Sequence, residues 1–199
     1  AHMDDDGRRV LFRNYVVSSI LHFVPTIMAH GNWQHSVAVM MGLQYTFAQF
    51  KPPLGHTFIV DDDHVMPLVI GLMKDGGGET VWGAELTGLR QVVATGLRLM
   101  MTRAHTIAES DCILEVVAYI KTLLEDGPAE RRFDLDVLTF GLNALAGIAD
   151  ATRLRSQAVK LRADYVTVLD SIIARGPEIN QVQLFVLPPV CDGKMQWFH

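Results

Sequence analysis

Residues 63–76, DHVMPLVIGLMKDG, decide how this chain is expected to fold. Counting back from Gly76, the positions three, four, seven, eight, ten and eleven residues earlier are all apolar. These offsets place the apolar side chains on one broad face of an α-helix. The glycine stands where a left-handed C-cap is expected. The stretch therefore predicts a helix that packs one side against a core and ends at a turn.

The same pattern recurs before three other glycines, Gly31, Gly127 and Gly176. The same six offsets are apolar in each of these segments, and the four glycines are 45, 51 and 49 residues apart. Regular spacing of this kind is the sequence signature of a repeat protein. Coincidence in a chain rich in apolar residues is the alternative, because helical periodicity alone is common.

A second helical segment follows each of the first three turn glycines. Each one carries a Gly-Leu pair, which begins at Gly42, Gly88 and Gly141. A glycine inside a helix costs about 1 kcal/mol relative to alanine, so its return at the same place predicts close contact between helices. The order of helix, turn and helix predicts an all-α fold of about three and a half units.

These segments resemble armadillo repeats, a family related to HEAT repeats. One helix of an armadillo repeat commonly reads as an aliphatic residue, a proline, any residue, a leucine and further aliphatic residues, and residues 66–75, MPLVIGLMKD, are similar to it. Residues 144–149, ALAGIA, approach the pattern of the family's third helix. The resemblance covers about residues 14–187. It implies a right-handed α-solenoid, in which each helical unit stacks on the next.

The repeat makes the chain one armadillo-like domain, 4–199, with units at about residues 14–62, 63–111, 112–162 and 163–199. Residues 1–3 read as the remnant of an expression tag. After Gly176 a second helix is due near residue 188, where two prolines oppose it. Residues 178–187 are therefore expected to form either a shortened cap helix or an extended segment.

Composition limits the classes of function. The chain has 199 residues, 49% hydrophobic and 20% charged, which suits one folded domain. A formal net charge of -5 argues against a nucleic-acid partner, because a phosphate backbone attracts a basic surface. Cys112 and Cys191 form no C-x-x-C pattern, which favours a reducing, cytoplasmic location. The longest apolar run, residues 15–28, is shorter than the roughly 20 residues that cross a bilayer, so we predict no transmembrane segment.

The expected function is a non-catalytic scaffold or adaptor that needs no cofactor. Between Arg13 and Lys51 lie thirty-seven residues without an acidic or basic side chain, whereas an exposed first unit of a repeat array normally has a polar outer face. This unit is therefore expected to pack on a protein partner, either a second copy or a member of a larger complex. Trp33 has no counterpart in the other units and is expected to be an exposed anchor for that partner.

A concave surface formed by the second helices is the other candidate interface. It would bind a peptide or a helix around Tyr45, Arg90 and Gln91. Armadillo domains that hold extended peptides use an asparagine in successive third helices. The corresponding positions here are Tyr45, Gln91 and Ala144, or Gly147 in an alternative alignment. Only Gln91 carries an amide that could replace the asparagine.

An acidic run, Asp61-Asp62-Asp63-His64, suggests a different class of function. Carboxylates and imidazoles together can hold a divalent metal. The alternative to a scaffold is therefore a small metal-dependent hydrolase that uses His56, Asp61, Asp63 and His64. Acidic residues at a helix start also cap free N–H groups and suit the helix dipole. We rank capping first, because it explains the run without a ligand.

A basic strip between residues 131 and 162 suggests a third function, the binding of acidic peptides or lipid headgroups. Arg153 and Arg155 are its candidate contacts. A solvated face with cations near helix ends is the alternative interpretation, and we rank it first. The strip consists of Arg131, Arg132, Arg153, Arg155, Lys160 and Arg162.

Overall fold

The computed structural model describes residues 5–30, 33–49, 61–75, 84–126 and 135–174. All regular secondary structure in these ranges is helical, which confirms the prediction of an all-α fold. The helices are α1 Asp5–His22, α2 Val24–His30, α3 Trp33–Gln49, α4 Asp62–Asp75, α5 Ala84–Thr102, α6 Ala104–Ile107, α7 Ile113–Glu125, α8 Leu135–Ala151 and α9 Arg155–Ala174.

The long helices pack in two rows. In one row α3 packs on α5 and α5 on α8, and in the other α2 packs on α4, α4 on α7 and α7 on α9. The rows are joined where α2 packs on α3, α4 on α5 and α7 on α8. The described part of the chain is therefore a stack of three helical pairs, with α1 packed on α3 at one end and α9 packed on α8 at the other.

The core follows the sequence pattern closely in the middle of the stack. On α4 the buried side chains are spaced three and four residues apart, and α7 repeats the arrangement. Helices of this kind are held mainly by burial of one apolar face. The core residues on these two helices are Val65, Met66, Val69, Ile70, Leu72 and Met73, then Ile113, Val116, Val117, Ile120, Leu123 and Leu124.

The first helix is interrupted by a single turn residue, Phe23, before the chain continues as α2. Pro25 has no N–H to donate, so the regular bonding of the helix is interrupted there, and the Phe23 N–H reaches the Ile20 carbonyl at 3.2 Å. The segment Asp5–Ala29 is long and apolar enough to cross a membrane, and 33% of its most apolar window is buried inside the fold. The core helix of a soluble protein and an N-terminal signal sequence pass the same test of length and composition, so this is weak evidence for a span.

Candidate functional site

Exposed apolar side chains are concentrated on α1–α3, the first part of the stack. Six of the twelve exposed large hydrophobic residues in the described ranges lie there. On α1 and α3 two pairs are spaced four residues apart, so each pair lies on one side of its helix. We call this set the N-terminal apolar surface, and its members, each half or more exposed, are Leu11, Phe12, Tyr15, Phe23, Met41 and Tyr45.

Trp33 does not belong to this surface. Its side chain is half-buried, and its indole packs on Gly88 of α5 so closely that a methyl group there would lie 2.6 Å from two ring carbons. The expectation of an exposed Trp33 was therefore wrong, because the missing side chain at Gly88 gives the ring a place between α3 and α5. The prediction that the recurrent helix glycines mark close contacts is confirmed at this position.

Tyr45, Arg90 and Gln91 are all exposed on the row formed by α3 and α5. Trp33 faces Gly88, and further along a methyl at Gly96 would lie 3.2 Å from Met40 Sδ, so α3 and α5 run parallel. Tyr45 therefore lies beside the C-terminal part of α5, whereas Arg90 and Gln91 lie near its start. With a rise of about 1.5 Å per residue, these side chains are spread along the row and do not form one cluster.

Arg98 is a further exposed residue of this row that sequence reasoning missed. Its guanidinium lies 6.0 Å from the centroid of the Phe140 ring on α8, at the outer limit of a cation–π contact. Phe140 is half-buried, so the guanidinium lies near the place where α5 and α8 of the row meet. No spacing rule relates these two residues in the sequence.

Asp62, the middle carboxylate of the acidic run, belongs to a buried cluster. Arg103 donates to it twice, Nε to Oδ1 at 2.9 Å and Nη2 to Oδ2 at 2.8 Å. The Arg103 guanidinium also lies 4.0 Å from the centroid of the Phe47 ring, and the Arg13 guanidinium lies 4.7 Å from the same centroid. The cluster joins α1, α3, α4 and the turn after α5, so Asp62 serves packing between helices.

Arg13 is almost fully buried in this cluster. Burial lowers its pKa to about 10, and the charge of Arg103 acts in the same direction while Asp62 and Asp61 oppose it. A guanidinium with that pKa is still charged at neutral pH. The last charged residue before the long uncharged segment therefore points into the protein, where a carboxylate and an aromatic ring balance it.

The other two carboxylates of the run also have partners within the fold. Asp63 Oδ1 accepts a 2.7 Å hydrogen bond from the Cys112 N–H at the start of α7, so it satisfies a free helix-end donor. Asp61 Oδ1 lies 2.7 Å from His64 Nδ1. Partial burial raises the pKa of Asp61, but the hydrogen bond and charge of His64 outweigh it, and the pKa is lowered.

The acidic run therefore does not converge on one point. Among the described residues no group of three His, Cys, Asp or Glu side chains is arranged to hold a metal ion. His56, the fourth residue of the hydrolase hypothesis, lies outside the described residues. The carboxylate of Asp63 bonds to the start of α7 and not, as the capping interpretation predicts, to the start of its own helix.

The basic strip contains paired charges. Arg153 Nη2 lies 2.6 Å from Glu109 Oε1, and Arg162 Nη2 lies 3.2 Å from Asp150 Oδ1. The side chain of Arg155, together with Arg131 and Arg132, lies outside the described part of the chain. Of the three strip cations whose side chains the structure describes, Arg153 and Arg162 therefore face acids from their own fold, and Lys160 is exposed.

A cavity of about 630 Å³ lies between the turn after α6 and the turn before α9. Glu109 and Arg153 stand among its lining residues, together with the exposed side chains of Leu114 and Leu154. Cys112 is adjacent in the sequence to residues that line the cavity. Burial raises the pKa of its thiol to about 11. The thiol is therefore protonated at neutral pH, which makes it a poor nucleophile.

Comparison with models of known protein families, with curated proteins and with solved structures finds no match to this chain. What the chain does must therefore be inferred from its own surfaces. The feature that stands out is the N-terminal apolar surface, since aromatic and aliphatic groups exposed together favour contact with another protein.

Proposed function

We propose that this chain is a non-catalytic protein-interaction module, a scaffold or adaptor that binds its partner through the N-terminal apolar surface. The observation that carries the proposal is the exposure of Phe12, Tyr15 and Tyr45 on helices that pack on each other. Aromatic side chains are enriched at protein interfaces because they bury a large area with few rotatable bonds. The partner is a second copy of the chain or a protein of a larger complex.

The proposed architecture is a right-handed solenoid of the armadillo or HEAT type. The two rows of helices support it, because each helical pair contacts mainly the pairs before and after it. In such an array recognition depends on the shape of an extended surface. The exposed residues Tyr45, Arg90, Arg98 and Gln91 along the row of α3 and α5 are a second place where a peptide or helix could lie.

We do not propose a metal-dependent hydrolase, because the carboxylates that would bind the metal already have partners within the protein. Asp61 is bonded to His64, and Asp63 is bonded to the start of α7. A cytoplasmic, reducing location remains our expectation, and the buried free thiol of Cys112 suits it.

Burial of the N-terminal apolar surface would favour association. Burial of apolar area contributes about 25 cal/mol per Å², so about 400 Å² from each partner gives of the order of 20 kcal/mol before the entropy of association is subtracted. A substitution that places a charge within this area should therefore separate the partners.

Light scattering of the purified chain tests the proposal with a matched pair of variants. Tyr15→Glu puts a charge on the N-terminal apolar surface, and Leu114→Glu puts the same charge at an exposed apolar position on α7. We expect the wild type and the Leu114 variant to associate at micromolar concentration, and the Tyr15 variant to be monomeric with unchanged helix content. A monomeric wild type, or association that survives Tyr15→Glu, would contradict self-association through this surface.

A further inference from the structure

The last described helix, α9, is apolar on two sides. One side is buried against α7 and α8 through Leu161, Tyr165, Val168 and Ile172. On the other side Val159, Val166 and Ile173 are 63%, 51% and 55% exposed. Each of these three residues is seven positions from the next, which places them in one line along the helix. We call them the α9 stripe, and a helix with apolar residues on both sides is usually covered on both.

The repeat shows what the stripe would normally meet. Val166 and Ile173 stand ten and three residues before the turn glycine Gly176. The residues at the same two offsets in the preceding units are Met66 and Met73 on α4, and Val117 and Leu124 on α7. All four are 5% exposed or less. Positions that are core in the middle of the stack are therefore open on α9.

In both preceding units the helix after the turn supplies the cover. A methyl group on Gly96 of α5 would clash with Met73 Sδ and would lie 2.7 Å from its Cγ. A methyl group on Gly141 of α8 would lie 3.1 Å from Leu124 Cδ1. The residue three positions before each turn glycine is thus packed on the backbone of the helix that follows, and no such helix follows α9 among the described residues.

We propose that residues 178–187 cover the α9 stripe. Their sequence, EINQVQLFVL, has one charged residue, at its first position. Its apolar members Ile179, Val182 and Val186 are three and four residues apart, the spacing that places side chains on one side of a helix. The segment begins two residues after Gly176, so its effective concentration at the stripe is high.

The area of the stripe favours this segment over a second copy of the chain. A stable interface buries about 800 Å² on each partner. Three aliphatic side chains that are already about half buried offer far less than that. A covalently attached segment does not lose the translational and rotational freedom that a second molecule loses, so a small contact is enough to hold it.

A double-mutant cycle in the full chain tests the contact. The variants are Val166→Glu, Val182→Glu and the two together, with Leu114→Glu as a control of similar exposure on α7. Each single variant is expected to reduce the folding equilibrium constant about tenfold or more, because a carboxylate would enter a dry contact. The double variant should lose little more than either single one, and the control should change the constant less than about threefold.

The proposal would be overturned if the losses of stability from the two single variants add in the double variant, or if Val182→Glu causes no loss of stability. A second copy on the stripe would also overturn it, and would appear as a halved mass in light scattering for Val166→Glu with no response to Val182→Glu. If a glutamate variant does not fold, Val166→Ala and Val182→Ala give the same cycle with smaller effects. Each alanine variant should reduce the folding equilibrium constant about threefold or more. The two losses of stability should again not add in the double variant.

Discussion

Arg103 and Asp62 form two hydrogen bonds, at 2.9 and 2.8 Å, between the turn after α5 and the first turn of α4. Asp62 is almost fully buried, and both Arg103 and Arg13 lie over the Phe47 ring. One carboxylate therefore balances two guanidinium groups where the first two helical pairs meet. Its removal would leave the Arg103 guanidinium without the carboxylate that it bonds to.

Asp62→Asn is expected to lower the free energy of unfolding by about 3 kcal/mol or more, because it keeps the shape but removes the charge. Urea unfolding measures the loss. Asp61→Asn is the control, since that carboxylate is about half exposed and its contact with His64 should be worth less than about 1 kcal/mol. Equal losses from the two variants would show that the cluster is not held by the Asp62 charge.

Gly88→Ala and Gly42→Ala are expected to have opposite effects although both glycines begin a Gly-Leu pair. A methyl at Gly88 would lie 2.6 Å from the Trp33 ring, so this variant should be destabilised by about 1–3 kcal/mol. At Gly42 the nearest atom is Ile20 Cδ1 at 3.5 Å, an ordinary contact. That variant should gain up to about 1 kcal/mol, because alanine is the better helix former.

Thermal or urea unfolding of both alanine variants measures the difference. Adding Trp33→Leu to Gly88→Ala should recover part of the lost stability, because the smaller side chain leaves room for the methyl group. A loss at Gly88 that Trp33→Leu makes worse would place the strain elsewhere.

The sequence predicted the helices and the face that each one buries in the middle of the stack. The offsets before Gly76 and Gly127 are buried almost throughout, because helices lie on both sides of α4 and α7. At the two ends of the stack some residues at the same offsets are not buried, because Phe23 and Ile173 are exposed. Periodicity shows which face of a helix is apolar. Burial of that face also requires another helix to pack on it, and the sequence of one segment does not show which helix that is.

The candidate site was less predictable than the fold. The uncharged N-terminal segment predicted helices with exposed apolar residues, but it did not show which residues face the solvent: Trp33 is half-buried, whereas Phe12 and Tyr15 are exposed. The cluster of Asp62 and Arg103 was missed because its two members are 41 positions apart. Long-range pairs of this kind leave no local spacing in the sequence.

Cys112 should make the stability depend on pH in the alkaline range. Burial raises the pKa of its thiol from 9.0 to about 11. Below pH 9 the thiol is protonated in the folded and the unfolded chain. Its contribution to the free energy of unfolding is therefore fully present. As the pH rises from 9 to 11, the unfolded chain loses the proton first, so the free energy of unfolding should fall by about 2 kcal/mol.

Urea unfolding at pH 8 and pH 10.5 measures this slope in a Cys191→Ser background. Cys112→Ala should reduce the slope, while other groups that titrate in the range contribute equally to both proteins. The same burial predicts that Cys112 reacts with a thiol reagent at pH 8 much more slowly in the native chain than in urea. Rapid native labelling, or an unchanged slope, would show that the thiol is open to solvent.

Arg153 should contribute little to stability and little to binding of anionic surfaces. Its side chain is 78% exposed and already lies 2.6 Å from Glu109, and an ion pair of this exposure is worth less than about 1 kcal/mol. Arg153→Ala is therefore expected to leave the urea midpoint almost unchanged. Sedimentation with vesicles that contain anionic lipid should show the same weak binding for this variant and the wild type at about 0.15 M salt. Strong vesicle binding that Arg153→Ala abolishes, and that Lys160→Ala leaves intact, would instead make the cation a specific contact and restore the basic strip as a binding surface.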